Sequence, residues 1–173
     1  MESYLSLPII DQSIAFLDET SSYEDNMKAL IFVLNHEFPL TMGYGVAPKQ
    51  NDNTSHPDFV VYRLQRRSTR DRGLFDHTLA QAKRSDGSLE DTISQLVTAL
   101  ESAYSEHGRC WAIMAIGTTL HFYEYHTHLP ANHRLIPWCP PGHSTNIFHL
   151  RDDSRVIESM FDHLRQNNEP AAR

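Results

Sequence analysis

The sequence predicts an α/β domain: a mixed central sheet flanked by helices, in the core order helix, strand, strand, strand, helix, strand, with added elements at both ends. Three observations carry this expectation. Residues 23–38 and 88–106 repeat apolar side chains at helical spacing. The run CWAIMAI, between Gly108 and Gly117, is apolar throughout, as a strand covered on both faces should be. Between the two helices, DFVVYRLQ and LFDHTLAQAKR are rich in β-branched and aromatic residues and flank a short arginine-rich turn, as in a hairpin.

Taken in chain order, Pro8 to Leu17 reads as a short amphipathic helix with Ile9, Ile10, Ile14, Phe16 and Leu17 apolar, available for packing or for a partner. Ser21 and Ser22 then offer an N-cap to YEDNMKALIFVLNHEF, in which Tyr23, Met27, Leu30, Ile31 and Leu34 share a face. A short strand is expected around Met42 to Val46, followed by a polar loop that Pro57 closes. Asp58 opens the first strand of the hairpin, and Gly73 punctuates the turn before the second. Ser88 caps the next helix, whose residues Leu89, Ile93, Leu96, Val97, Leu100 and Tyr104 are expected on one face, with Gly108 ending the pattern. After the buried strand, LHFYEYH suggests another strand. A proline-rich loop from Pro130 to Pro141 leads to NIFHL, and DDSRVIESMFDHLRQ reads as a final helix with Asp152 or Asp153 as cap and acids in its first turn.

With 173 residues, 40% hydrophobic and 21% charged, the composition fits a single globular domain spanning 1–173. No stretch approaches the ~20 apolar residues that span a bilayer, and the N-terminus lacks a signal-peptide pattern. No membrane is expected, and the localisation expected is intracellular, in cytoplasm or nucleus. Only Cys110 and Cys139 are present, so no disulfide framework is expected. The formal net charge of -7 opposes non-specific coating of nucleic acid. Arg63, Arg66, Arg67, Arg70 and Arg72 nevertheless crowd one stretch, followed by Lys83 and Arg84. They read either as a solvated arginine-rich hairpin or as an edge that grips phosphates.

Residues two apart on a strand face the same way, so Gln81 and Lys83 present an amide oxygen and an ammonium side by side. Asp58, at the start of the partner strand, is placed to join them. One carboxylate, an amide oxygen, a peptide carbonyl and a phosphate suffice to complete a magnesium site that keeps several waters. A lysine beside such a site suits orientation of a nucleophile or stabilisation of charge on phosphorus.

HPDFVVYRL followed by LAQAKR resembles the PD and (D/E/Q)-X-K signatures of the PD-(D/E)XK nuclease superfamily, and YEDNMKALIFVL resembles its first helix. The QAKR ending is especially similar to Mrr-type restriction endonucleases, in which glutamine replaces the usual acid. The resemblance covers about residues 22–117, leaving a C-terminal extension, 118–165, and a polar tail, 166–173. It implies a restriction-endonuclease-like fold and a Mg2+- or Mn2+-dependent nuclease acting on nucleic acid, with DNA before RNA. Asp58, Gln81, Lys83 and Glu24 would be catalytic, Asp58 and Gln81 would be metal ligands, and the arginine cluster with Arg84 would contact nucleic acid. A homodimer is a further implication. The alternative is a non-catalytic interaction module on a degenerate nuclease fold.

Other constellations are weaker. His121, His126, His128 and His133 cluster with Glu124 but match no zinc signature. Cys110 heads an apolar strand without an activating context, and GYG near Val46 lacks the Lys-Ser/Thr of a P-loop.

Overall fold

The computed structural model describes residues 1–20, 22–49, 58–65 and 73–173, for Asp58 the backbone alone. Helices α1 (Pro8–Thr20) and α2 (Tyr23–Glu37) precede strands β1 (Tyr44–Lys49), β2 (Asp58–Leu64) and β3 (Leu74–Lys83). Helix α3 (Leu89–Glu101) leads to β4 (Arg109–Ile116) and β5 (Thr119–His126). The short strands β6 (Leu135–Pro137) and β7 (Ile147–His149) and helix α4 (Ser154–Gln166) complete the chain.

One mixed sheet runs in the order β1-β2-β3-β4-β5-β6, with β7 also paired to β5. Strands β1, β2 and β3 form an antiparallel meander; β3 and β4 are parallel, which requires the crossover that α3 supplies. From α2 to β4 the order is therefore helix, three strands, helix, strand, as the sequence pattern predicts. Among the described residues, no helix is long and apolar enough to cross a membrane.

The sheet is covered on both faces. Helices α1, α2 and α4 bury Ile14, Leu30, Val33, Leu34, Ile157 and Phe161 against Val61, Ala80, Ala82, Trp111, Ile113 and Phe122. Helix α3 buries Leu96, Ala99 and Leu100 against Val60, Leu79, Cys110, Ala112 and Met114 on the other face. This sandwiching explains why CWAIMAI shows no alternation: each side of the strand meets a helix. The pairing of β2 with β3 shifts between Val61 and Tyr62, leaving His77 as the extra residue of a bulge. His77 consequently turns inward beside Thr78, its ring packed edge-on against Phe38 and Tyr44.

Four local expectations change. Helix α3 ends at Glu101, and Tyr104 leaves the helical face to stand 62% exposed. The cause is tertiary: the Tyr104 N–H donates to the Asp76 carboxylate, the Asp76 N–H donates to the Tyr104 carbonyl, and the Tyr104 ring stacks on Phe75 at 5.2 Å. The first strand starts at Tyr44 because Leu40–Met42 forms a 3-10 turn that Gly43 closes with a left-handed φ of 83°. Within the proline-rich loop, Leu135–Pro137 adds an edge strand to Tyr123–Tyr125, too short to show a period. Asp153 occupies the cap position of α4, yet its carboxylate accepts the His149 N–H, and the first turn of α4 contains no acid.

Candidate functional site

Gln81 and Lys83 lie on the α3 side of β3, at its C-terminal end, where the first turns of α3 return over the sheet. Their side chains meet on one atom. Lys83 Nζ donates to Gln95 Oε1 at 2.6 Å, and Gln81 Nε2 donates to the same oxygen at 3.3 Å. Because Gln95 must offer its oxygen to the ammonium, Gln81 must turn its NH2 toward Gln95, and its own carbonyl points the other way. That carbonyl, Gln81 Oε1, is shielded from solvent and has no hydrogen-bond donor among the described residues, on a residue only 2% exposed. A buried acceptor without a donor is uncommon in folded proteins.

Asp58 is the first residue of β2. The register Phe59↔Ala80 and Val60↔Leu79, continued by one residue, sets the Asp58 backbone opposite Gln81, with Lys49 of β1 on its other side. The side chain of Asp58 lies outside the described residues. Among the described residues, no group of three or more His, Cys, Asp or Glu side chains is arranged to hold a metal ion.

Glu24 is not brought to this cluster. It sits in the first turn of α2, on the opposite face of the sheet, exposed and paired with Lys28 at 2.8 Å. An acid there is favoured by the helix dipole whatever else it does. Arg63 is also remote: it pairs in register with Tyr44 and Phe75 at the other end of β3. Eight strand steps separate the level of Phe75 from Lys83, about 27 Å at the usual rise. Arg84 is exposed beside Lys83 and pairs with Asp86 at 3.0 Å. Arg66, Arg67, Arg70 and Arg72 lie outside the described residues.

The residue that sequence reasoning missed is Gln95. The signal was present: Thr92, Gln95, Leu96 and Ala99 form an i, i+3, i+4, i+7 stripe, and a glutamine inside an otherwise buried stripe needs a polar partner.

The other candidate groups have structural partners. His126 is buried with its Nε2 3.2 Å from Glu124 Oε2, which also accepts from Arg173 Nε at 2.8 Å. His121 shares a hydrogen bond with Thr119, while His128 and His133 are exposed. Burial pushes the Cys110 thiol far above its ordinary pKa, so it stays protonated.

No protein-family model, curated protein or solved structure matches the chain.

Proposed function

We propose that the chain is a metal-dependent nuclease of the PD-(D/E)XK type, hydrolysing phosphodiester bonds in DNA. The observation that carries this reading is the pairing of Gln81 and Lys83 on Gln95, with Gln81 Oε1 left without a donor among the described residues and the Asp58 backbone opposite. The order of elements from α2 to β4 supports a restriction-endonuclease-like core around it.

In this reading Asp58 and Gln81 Oε1 hold Mg2+ or Mn2+, which when bound supplies Lewis-acid polarisation of the scissile phosphate. Lys83 serves the reaction rather than the ion. Its ammonium, at the edge of the cluster, orients the attacking water and stabilises negative charge as phosphorus gains the new P–O bond and the bridging oxygen departs. Gln95 holds that ammonium in place between turnovers.

A second reading, an interaction module on the same fold, draws support from two observations: Lys83 is engaged by Gln95, and Glu24 stands across the sheet. Cleavage of single-stranded, duplex and branched DNA and of RNA, with magnesium or manganese, separates the two. Lys83→Ala should lose most hydrolysis and keep metal binding, whereas Asp58→Ala should lose both. Equal cleavage by wild type and Lys83→Ala would assign the activity to a contaminant and leave the interaction module.

A further inference from the structure

We propose that the groove between α1 and α2, on the solvent side of these two helices, docks a basic amphipathic helix of a partner protein. The fold divides the apolar side chains of α1. Ile10, Ile14 and Leu17 join the core, whereas Ile9 and Phe16 remain 61% and 47% exposed. Ile9, Gln12, Ser13 and Phe16 follow i, i+3, i+4, i+7 spacing, so they form one stripe along α1, and Lys28 and Phe32 of neighbouring α2 make the other wall. The space between the walls measures about 300 Å³. From Ile9 to Phe16 it runs about 10 Å, roughly two helical turns. A helix laid in a groove of this kind supplies apolar anchors at the same period as the wall that receives it.

Charge selects the occupant. Helix α1 carries no lysine or arginine, and its last turn includes Asp18 and Glu19, with which no cation among the described residues pairs. Two carboxylates at the negative end of a helix dipole are unfavourable until a cation comes near. Glu24 and Asp25 stand just beyond, in the first turn of α2. Glu24 pairs with Lys28 at 2.8 Å, and Asp25 accepts the Thr20 and Ser22 hydroxyls. Lys28 is therefore the one cation among these four carboxylates. Asp11, further back on α1, is already taken by Arg151 at 2.6 Å.

A second copy of the chain seated on this face would add its own unpaired carboxylates to the interface, and an anionic bilayer would be repelled. A small apolar ligand would stay wet beside the exposed Ile9 and Phe16, whereas ligand pockets enclose most of what they hold. A helix with apolar anchors flanked by lysine or arginine meets both the apolar walls and the excess negative charge. The inference is independent of the nuclease reading, since α1 and α2 cover the sheet face opposite the one that carries Gln81 and Lys83.

The test is fluorescence anisotropy of the full chain with labelled synthetic peptides of about four helical turns. The first peptide has leucines at i, i+3, i+4 and i+7 and lysines elsewhere. The second has glutamates in place of the lysines, and the third scrambles the first so that its leucines form no stripe. The first should bind saturably, about tenfold or more tighter than either control, and weaken as salt is raised. Phe16→Ser should weaken it about tenfold, and Ile9→Ser, at the more exposed position, should weaken it as well, which keeps the test decisive if Phe16→Ser fails to fold. Asp18→Asn combined with Glu19→Gln should lower the affinity several-fold and flatten the salt dependence. No saturable binding, equal affinity for the scrambled peptide, or no loss in Phe16→Ser and Ile9→Ser would overturn the groove as a site. Equal affinity for the glutamate peptide would overturn the basic partner. Self-association of the chain alone in sedimentation, abolished by Phe16→Ser, would assign the groove to a second copy and overturn the proposal.

Discussion

Gln95 accepts two hydrogen bonds through one oxygen, so its removal leaves both donors short at once. Gln95→Ala should cost about 1–3 kcal/mol of unfolding free energy, mostly from the buried Gln81 amide, in a urea titration. Gln95→Glu should keep both acceptor contacts and recover most of that loss. His77 offers a second measurement. Burial, opposed by the hydrogen bond to the Leu164 carbonyl and reinforced by nearby Arg63, lowers its pKa from 6.5 to about 4. A folded-state pKa below the unfolded one means that its stabilising contribution is complete above pH ~6.5 and is lost as pH falls toward 4. Between those limits stability should drop by roughly 1.4 kcal/mol per pH unit on account of this group. The difference in unfolding free energy between wild type and His77→Gln, measured from pH 7.5 to 4.5, should show that slope. A pH-independent difference would mean that His77 does not titrate with folding.

At the level of elements, the two helices that bracket the meander are each started by a serine. Ser22 accepts the Asp25 N–H at 3.1 Å and Ser88 accepts the Asp91 N–H at 3.3 Å. Ser22→Ala and Ser88→Ala should each cost about 0.5–2 kcal/mol, read from the shift of the urea midpoint at constant m-value. Helix α4 depends on the sheet in a different way. Its last turn would expose unpaired carbonyls, and side chains from the strands satisfy them: His77 bonds the Leu164 carbonyl at 2.9 Å and Tyr44 the Arg165 carbonyl at 3.0 Å. Trp111 Nε1 bonds the Asn167 carbonyl, just past the helix, at 2.9 Å. Arg165 also pairs with Glu37 at 2.6 Å, both nearly buried; burial raises the Glu37 pKa and the guanidinium pulls it back. Arg165→Met should destabilise by about 3–5 kcal/mol, because it leaves a buried carboxylate without its cation.

For the whole molecule, these contacts make α4 part of the core rather than an appendage. A chain ending at Asp153 would expose Leu34, Phe122 and Trp111 where Ile157, Met160 and Phe161 now pack, and it should give no cooperative thermal transition by circular dichroism. The meander also sets a length scale for the proposed nucleic-acid contact. Arg63, the described member of the arginine cluster, pairs opposite Phe75, whereas Lys83 ends β3. Eight strand steps separate these levels, about 27 Å. A strand of nucleic acid reaching both would cover roughly eight base steps at 3.4 Å each. Binding measured by fluorescence anisotropy should therefore strengthen with duplex length up to about that number and then level off. Charge reversal at Arg66 and Arg67 should weaken it and flatten its salt dependence, with activity returning at low salt.

Periodicity alone determined the helix at 23–37, the start and body of the helix expected over 88–106 though not its end at Glu101, the hairpin strands and the buried CWAIMAI strand, because each of these is long enough for its apolar pattern to register which faces are covered. The side-by-side placement of Gln81 and Lys83 was equally legible, since alternation along a strand is a property of the backbone. Other features depended on contacts between distant residues. Tyr104 leaves its helix because Asp76, on another strand, captures its backbone. Leu135–Pro137 becomes a strand only through pairing with β5. Glu24 stands apart from Gln81 because α2 and α3 pack on opposite faces, a choice that no local pattern encodes. Gln95 enters the cluster because the crossover folds α3 back over the end of β3. Local sequence determines what each segment can be, whereas the packing of buried surfaces decides which segments meet.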